Sequence, residues 1–567
     1  MATVVEPAAA PVVKPRLGPD EKLMGAGLFV LVAFLLLIIG LPLWSLLSKS
    51  FQNADGGFVG LANYAAYFSN PSLIGSIWNS LFVSVVTMVI VVPLAFVYAY
   101  ALTRSCMKAK WLFSALALIP ILAPSLLPAL SLIYLFGNQG FLRALLLGNS
   151  IYGPIGIVIA QVFYCFPFAL MILVTALRTT DARLYEAALA LRASPVRIFF
   201  TVTLPGAKYG VISASFVVFT LVMTDFGIPK VIGGRFDVLA TDVYKQVIGQ
   251  QNFQMGAVVG MILLAPAVLS FFVDRITQRR QVALLSARAV PYEPKPNARF
   301  DWAMFAFCAV VAFLITSVLA MAAWGSFIQY WPYNLALTTR HYDFANADAS
   351  GWDSYWNSLQ LACWTAAIGT VILFTGAWLV EKSRAFAALR IIAQFFAVLP
   401  LAVPGLVLGL SYIFFFIDPA NPLNFIYATM AILVINSLAH FYTVGHLTAT
   451  TALKQIDPEF EAVSASLKVP IWRTFGRVTV PVCLPAVLDI AVYLFVNAMT
   501  TVSAVIFLYG ADTKLASIAV VSMDESGKTA SAAAMAMMIV LTSAAMKLLQ
   551  TLLSRVVLAR TQAWRKR

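Results

Sequence analysis

The sequence predicts an all-α polytopic membrane protein, a tandem duplication of a six-helix unit with twelve transmembrane helices. Three observations predict it. The chain of 567 residues is 61% hydrophobic and only 11% charged, whereas soluble domains are about 45–50% apolar and about 25% charged. Twelve apolar runs reach the roughly 20 residues that a bilayer crossing needs. A polar segment of 31 residues also occurs twice, at an offset of 276. β-Barrel strands would alternate polar and apolar residues over about ten positions, and these runs do not.

In chain order, residues 1–24 read as a cytoplasmic tail with Lys14, Arg16 and Lys22 in a Pro/Ala-rich stretch. The apolar run from Gly25 to Leu47 is too long for a signal-peptide core and lacks a clear cleavage site, so it reads as an uncleaved first span. Spans are predicted near 25–47, 80–103, 112–136, 152–176, 209–229 and 254–273, which make a first unit, 25–273. Residues 274–301 carry Arg275, Arg279, Arg280, Pro291, Pro294 and Pro296 and read as a cytoplasmic linker whose prolines resist helix formation. A second unit, 302–553, has spans near 302–325, 358–380, 391–416, 423–447, 483–508 and 530–550, and a basic tail follows at 554–567.

The duplication extends beyond the polar segment. Trp78–Leu81 recurs as Trp356–Leu359, Tyr64 as Tyr342, and Pro120, Pro124, Leu130 and Ser131 as Pro400, Pro404, Leu410 and Ser411. Six is an even number, so both units enter the membrane in the same direction. Such parallel repeats are related by an axis along the membrane normal, with a path at their interface.

The net charge of +14 invites a nucleic-acid reading, but its placement argues against one. With the N-terminus inside, 30 Lys and Arg fall in cytoplasmic segments, and eight fall outside: Lys49, Arg143, Lys230, Arg235, Lys245, Arg340, Lys514 and Lys528. That bias is the positive-inside rule and puts both termini in the cytoplasm. The basic excess is topological, and no nucleic-acid partner is expected. Five scattered cysteines give neither a disulfide framework nor a metal spacing.

The repeated segments lie between the fourth and fifth spans of each unit, in loops 175–208 and 451–481, both on the cytoplasmic side. The first reads TALRTTDARLYEAALALRASPVRIFFTVTLP and the second TALKQIDPEFEAVSASLKVPIWRTFGRVTVP, with ten identities. Asp181 is placed to cap a helix whose first turn includes Glu186. Ala187, Ala188, Ala190 and Ala193 keep that helix thin, and Pro195 ends it before a second amphipathic stretch from Arg197. One such loop reads equally well as a helix lying on the headgroups. Two matched copies point to a docking surface for two copies of a partner.

These residues resemble the EAA loop of ABC-importer permeases, with a pattern like E-A-A-x-x-x-G-A-S-P-x-R-x-F-x-x-V-x-L-P. The first copy matches at Glu186, Ala187, Ala188, Ala193, Ser194, Pro195, Arg197, Phe199, Val202, Leu204 and Pro205. Arg192 stands in the glycine position. In the second copy Ala462 faces Glu186, Glu461 sits one place early, Lys468 takes the glycine position, Ile471 replaces the proline, and Arg473 matches Arg197. The resemblance implies a fused type I importer permease in a bacterial inner membrane. It implies a coupling helix from each loop in a groove on one of two ATP-binding subunits, and a periplasmic substrate-binding protein. ATP and Mg then belong to the partner subunits, with no cofactor on this chain. A base at both glycine positions predicts loss of the usual tight turn, as an extra half-turn of helix or a charge contact to the partner. Gly527-Lys528-Thr529 is not a phosphate loop, because Ser522 stands where the earlier glycine is required.

For the path, ionisable groups within spans are costly and usually functional. Asp225 ends the fifth span, with Thr501 as its repeat partner, so Thr224 and Asp225 are expected to face Thr500 and Thr501 across the pseudo-twofold, with Asn497 one turn deeper. The plainer alternative for Asp225 is a carboxylate at a wet helix end. His440 reads as a path residue or as a buried hydrogen-bonded histidine, and its six-residue spacing from His446 does not suit a metal pair. Pro120/Pro124 and Pro400/Pro404 break the third and ninth spans, as a cavity lining or as packing kinks.

DFGIPKVIGG and VLATDVYKQ resemble iron(III)-type permeases, whereas WPYNLALTTRHYDF and LYGADTKLASIAVVSMDESGKTASAAAMAM resemble fused 2-aminoethylphosphonate permeases. The expected cargo is 2-aminoethylphosphonate or a related phosphonate, with ferric iron or another anion system as the alternative. A secondary transporter of six-plus-six architecture would need deep coupling carboxylates, which are nearly absent. A membrane enzyme would need paired catalytic groups at a bilayer face, and none are seen.

Overall fold

A computed structural model describes residues 18–284, 290, 292–383 and 385–561. Lys14, Arg16, Pro291, the tail beyond 561 and the side chains of Arg279 and Arg280 lie outside the described residues. Nine helices are long and apolar enough to cross a membrane, and three bent pairs bring the spans to as many as twelve among the described residues. The unbroken spans are Pro19–Ser50, Pro71–Arg104, Pro154–Arg178, Pro195–Thr224, Phe253–Thr277, Ala298–Phe327, Asp353–Lys382, Met430–Lys454 and Thr529–Arg555.

The broken spans are the third, the ninth and the eleventh. Lys110–Leu122 and Leu126–Phe136 meet at 101°, and Ala387–Ala402 and Gly405–Phe416 at 116°. Pro120 and Pro400 each sit in a 3₁₀ turn just before the bend, at Ile119–Leu122 and Leu399–Ala402. A proline cannot donate and its ring crowds the carbonyl four residues earlier, so paired prolines end the helix in both halves alike. The eleventh span, Ile471–Val482 with Leu484–Thr500, bends by 76°. There Pro485 stands where the first half has Tyr209, and the fifth span continues without a break.

Three predicted boundaries need correction. The fifth span starts at Pro195 rather than 209 and ends at Thr224 rather than 229. Its start is moved because the amphipathic stretch after the loop runs straight into the membrane helix, through a π-bulge at Phe199–Thr203. The eleventh span likewise begins early, with a π-bulge at Phe475–Thr479, and ends at Thr500. The sixth helix runs from Phe253 to Leu284, well into the predicted linker. No proline or glycine interrupts it there, and polar residues propagate a helix beyond the bilayer as readily as apolar ones.

Each half lends its first span to the other. Gly25 lies so close to the Phe386 ring that a Cβ would sit 2.4 Å from it, and Gly27 meets Leu379 in the same way at 3.0 Å. The seventh span returns the arrangement on the first half, where Phe305 packs edge-on to Phe113 with ring centroids 5.2 Å apart. Tyr412 Oη donates to Ile38 O at 2.6 Å, inside the π-helical turn Leu36–Gly40 of the first span. The one sheet among the described residues is a hairpin after the seventh span, Ile328–Tyr330 against Asn334–Leu337. Its counterpart after the first span is a single bridge, Gln52 to Phe58.

Candidate functional site

The two repeated loops fold alike. In the first, the helix Ala182–Ala190 is capped by Asp181, whose carboxylate accepts Arg183 N–H at 3.0 Å. Glu186 lies in the second turn of that helix, not the first as expected, and it is exposed. In the second loop the helix is Glu459–Ser466. The expected loss of the tight turn is also corrected. Arg192 and Lys468 both adopt left-handed backbone at φ 53°. Each then closes the same double cap: Ala193 N donates to Ala188 O at 3.0 Å and Arg192 N to Leu189 O at 2.9 Å. Val469 N donates to Ser464 O and Lys468 N to Ala465 O, both at 3.0 Å. The glycine conformation is kept without the glycine, and neither helix gains a half-turn.

Beyond the cap, Ser194 accepts Arg197 N–H at 3.3 Å, with Pro195 at the first helical position where its missing donor is harmless. In the second loop Ile471 has a donor at that position, and Asp20 from the first span accepts it at 3.2 Å. Ala187, Ala462, Arg192, Lys468, Arg197 and Arg473 are exposed, while Ala188 and Ala193 are half-buried. Between them Leu184, Leu191 and Val196 in the first loop and Val463, Leu467 and Trp472 in the second are open to solvent.

The undersides of the loops differ. Arg104 ends the second span and is buried; its Nη2 donates to Leu177 O at 2.7 Å and to Thr180 Oγ1. Its guanidinium lies 5.2 Å from the Tyr185 ring and 4.5 Å from the Tyr292 ring. In the second half Lys382 takes the place of Arg104, and Glu461 that of Tyr185, and the two form an ion pair at 2.5 Å. Glu461 is therefore not the counterpart of Glu186: it points under the loop rather than out from it. Arg104, Lys382, Asp20 and Tyr292 are missed by motif reading. The first two were findable, since they fall at the repeat offset; a tyrosine in a proline-rich linker carries no pattern.

At the interface between the halves, five of the six expected path residues line one cavity of about 110 Å³: Asp225, His440, Asn497, Thr500 and Thr501. Thr224 is not among its lining residues, and its hydroxyl donates back to Thr220 O at 2.9 Å. The proline bend of the third span brings in Ala123 and Ser125, and the fourth span brings Tyr164, the repeat partner of His440. Asp225 accepts Gln161 Nε2 at 2.9 Å and Ile228 N–H at 3.0 Å. His440 Nδ1 has no protein partner. One carboxylate, one imidazole, an amide and several hydroxyls line the space, with no lysine or arginine among them.

On the side away from the loops, Lys230, one turn beyond Gly227 of the cavity wall, pairs with Glu525 of the other half at 2.5 Å. It also lies 4.5 Å from the Tyr244 ring, which stacks on Phe507 across the halves. Burial pushes the neighbouring Asp524 carboxyl up to about 6, with the Thr529 hydroxyl opposing and Glu525 adding to the shift. Lys528 donates to Asn346 O at 2.9 Å and Ala347 O at 3.0 Å, a structural role unlike that of a phosphate-loop lysine. Among the described residues no three of His, Cys, Asp or Glu come together to hold a metal ion.

A family model described as "binding-protein-dependent transport system inner membrane component" matches residues 92–282 and again 372–558. The ferric transport system permease protein FbpB of Actinobacillus pleuropneumoniae is 26% identical over 543 residues, covering 93% of this chain and 78% of that protein. The Fe(3+)-transport system permease protein FbpB 2 of Haemophilus influenzae is 24% identical over 516 residues, covering 90% of this chain and 96% of that one. The spermidine/putrescine permease protein PotB of the same organism is 26% identical over 268 residues, 45% of this chain but 93% of its own length. One half of this chain thus corresponds to nearly all of a separate protein.

Proposed function

This chain belongs to the family of binding-protein-dependent transport system inner membrane components, and from that premise we propose that its cargo is ferric iron. As such a component it is the non-catalytic permease of an ABC importer, multi-pass in a bacterial inner membrane. It moves a periplasmic solute by alternating access and works with separate ATPase subunits. In our reading the two repeated loops dock one ATPase subunit each, they and both termini face the cytoplasm, and the cavity around Asp225 and His440 lies on the path.

The observation that carries the cargo assignment is the donor set of that cavity. A carboxylate, hydroxyls and an amide with no lysine or arginine suit a hard cation, which takes oxygen ligands. The phosphonate group would meet the like charge of Asp225, with no lysine or arginine beside it to offset that charge. The ferric relatives, spanning most of both chains, favour the same choice. 2-Aminoethylphosphonate, the first expectation from sequence, becomes the second reading. The sparse donor set also suits transit, since a conducting site must bind weakly enough to release. The test is ATP-driven uptake into proteoliposomes holding the chain, its ATPase subunits and a purified binding protein loaded with ferric iron or with 2-aminoethylphosphonate. Iron uptake that ceases without ATP is expected. Phosphonate uptake with no iron uptake would reverse the order.

A further inference from the structure

Each repeated loop is touched by the cytoplasmic start of the opposite half, the first by the segment ahead of the seventh span and the second by the first turn of the first span. Ahead of the seventh span, Val290 O accepts Ala182 N–H at 2.9 Å, and Val290 N donates to the Asp181 carboxylate at 3.4 Å. Two residues on, Tyr292 packs against Tyr185 with ring centroids 4.5 Å apart and covers Arg104. The segment is then pinned again: Asp301 accepts Cys106 N–H at 2.7 Å and Asn297 N–H at 3.1 Å. In the first turn of the first span, Asp20 accepts Ile471 N–H of the second loop.

We infer that these two segments are reciprocal straps, and that the Tyr292 strap positions the first loop so that its movement is passed directly to the seventh span. The inference rests on reading the loops as ATPase docking sites. Its physical basis is a continuous chain of contacts. The Tyr292 ring lies on the Arg104 guanidinium, which holds the last turn of the fourth span through Leu177 O and the loop helix through Tyr185. Cation–π and ring–ring contacts of this kind strengthen when desolvated, as here around the buried Arg104. Among the described residues, no ring lies over the Lys382 ammonium in the counterpart seat under the second loop. A cavity of about 280 Å³ remains there, bounded by Asp20, Trp378, Lys382 and Glu461. The first strap is therefore the stiffer of the two.

Hydrogen exchange and ATP turnover of the full chain with its ATPase subunits test this. Tyr292→Ala is expected to speed exchange in 182–190 about tenfold, as loss of local protection, while 459–466 stays unchanged. Asp20→Ala should do the reverse. Tyr292→Ala should also lower the stimulation of ATP turnover by the loaded binding protein, with the ATPase still co-purifying, and Tyr292→Phe should restore both. Equal acceleration of both loops, or of neither, would overturn the straps. A short Gly–Ser insertion after Pro296 guards against a variant that merely misfolds: loop protection should persist while stimulation falls, and unchanged stimulation would refute transmission to the seventh span. If ATPase subunits bind neither loop of the unmodified chain, the docking reading fails by itself, and the exchange pattern still decides the straps.

Discussion

The first loop and the second share a backbone and differ in what holds it. Both place a basic residue in left-handed backbone at the same φ of 53°, close the same double cap, and enter the membrane through a π-bulge at corresponding positions. Underneath, one is held by a buried guanidinium between two aromatic rings, and the other by a lysine–glutamate pair whose glutamate is 38% exposed. The geometry a partner would grasp is kept in duplicate, while the supporting chemistry has diverged. If the loops dock ATPase subunits as proposed, the docking geometry has kept its turn and cap while its supports changed.

The largest expected effect tests that difference in support. Arg104→Ala removes donors to Leu177 O and Thr180 from a buried site, and hydrogen bonds to charged groups contribute about 1.5–3 kcal/mol. The expected loss is about 3 kcal/mol of local stability in the first loop. Lys382→Ala breaks a partly solvated ion pair, which contributes about 1 kcal/mol or less. Hydrogen exchange measured loop by loop checks both. Equal losses would mean that the two undersides are equivalent.

The same asymmetry recurs in the cavity, which Asp225 lines from one half and Thr501 from the other. Under the proposed path, Asp225→Ala should lower ATP-driven uptake by about tenfold, the 1.4 kcal/mol expected from one lost interaction with a charged cargo. Thr501→Ala should change it by about twofold at most. Uptake assays at matched reconstitution levels check the ratio, and a larger loss at Thr501 would move the cargo contact to the second half.

Away from the loops each half carries a carboxyl raised by burial, at different places in the repeat: Asp242 in Leu239–Tyr244 and Asp524 near the end of Ala516–Glu525. Asp242 and Asp524 lie outside the spans, and burial pushes each carboxyl up to about 6 from an ordinary 3.8. A raised carboxyl binds its proton more tightly in the folded state, so its contribution is fully present below the ordinary value and is lost as pH rises through about 6. Asp242→Asn or Asp524→Asn should each remove part of the stability lost between about pH 4 and 6, on the order of 1 kcal/mol apiece after solvent screening. Unfolding followed against pH checks this, and a single variant that abolished the whole dependence would show that only one half contributes.

Much of this was legible in the sequence, because periodicity and repetition are local signals. Apolar length gave the spans, paired prolines gave two of the three breaks, and alignment of the two loops paired Arg192 with Lys468. The third break, at Pro485, has no repeat partner and was not anticipated. Five cavity residues were named from charge and polarity within apolar runs, but Ser125 and Tyr164 were not, since neither is unusual in its own helix. The inward turn of Glu461 followed from an alignment shift of one residue. What that glutamate would meet depended on Lys382, some eighty positions earlier in the chain. The Tyr292 strap was invisible because nothing local distinguishes a linker tyrosine that docks from one that does not.

The smallest effect goes to what the two loops share. A side chain in left-handed backbone costs roughly 1–2 kcal/mol relative to a favoured conformation, and glycine avoids most of that cost. Arg192→Gly and Lys468→Gly should therefore each stabilise their loop, by about 0.5–1 kcal/mol after the added freedom of glycine in the unfolded chain is subtracted. Slower exchange of the Ala193 and Val469 amides, whose hydrogen bonds close the caps, would report it. Equal gains would show that the strain is a property of the duplicated backbone. A gain at Lys468 with a loss at Arg192 would show instead that the arginine side chain supports the first loop, and the two loops would then differ in their caps as well as their undersides.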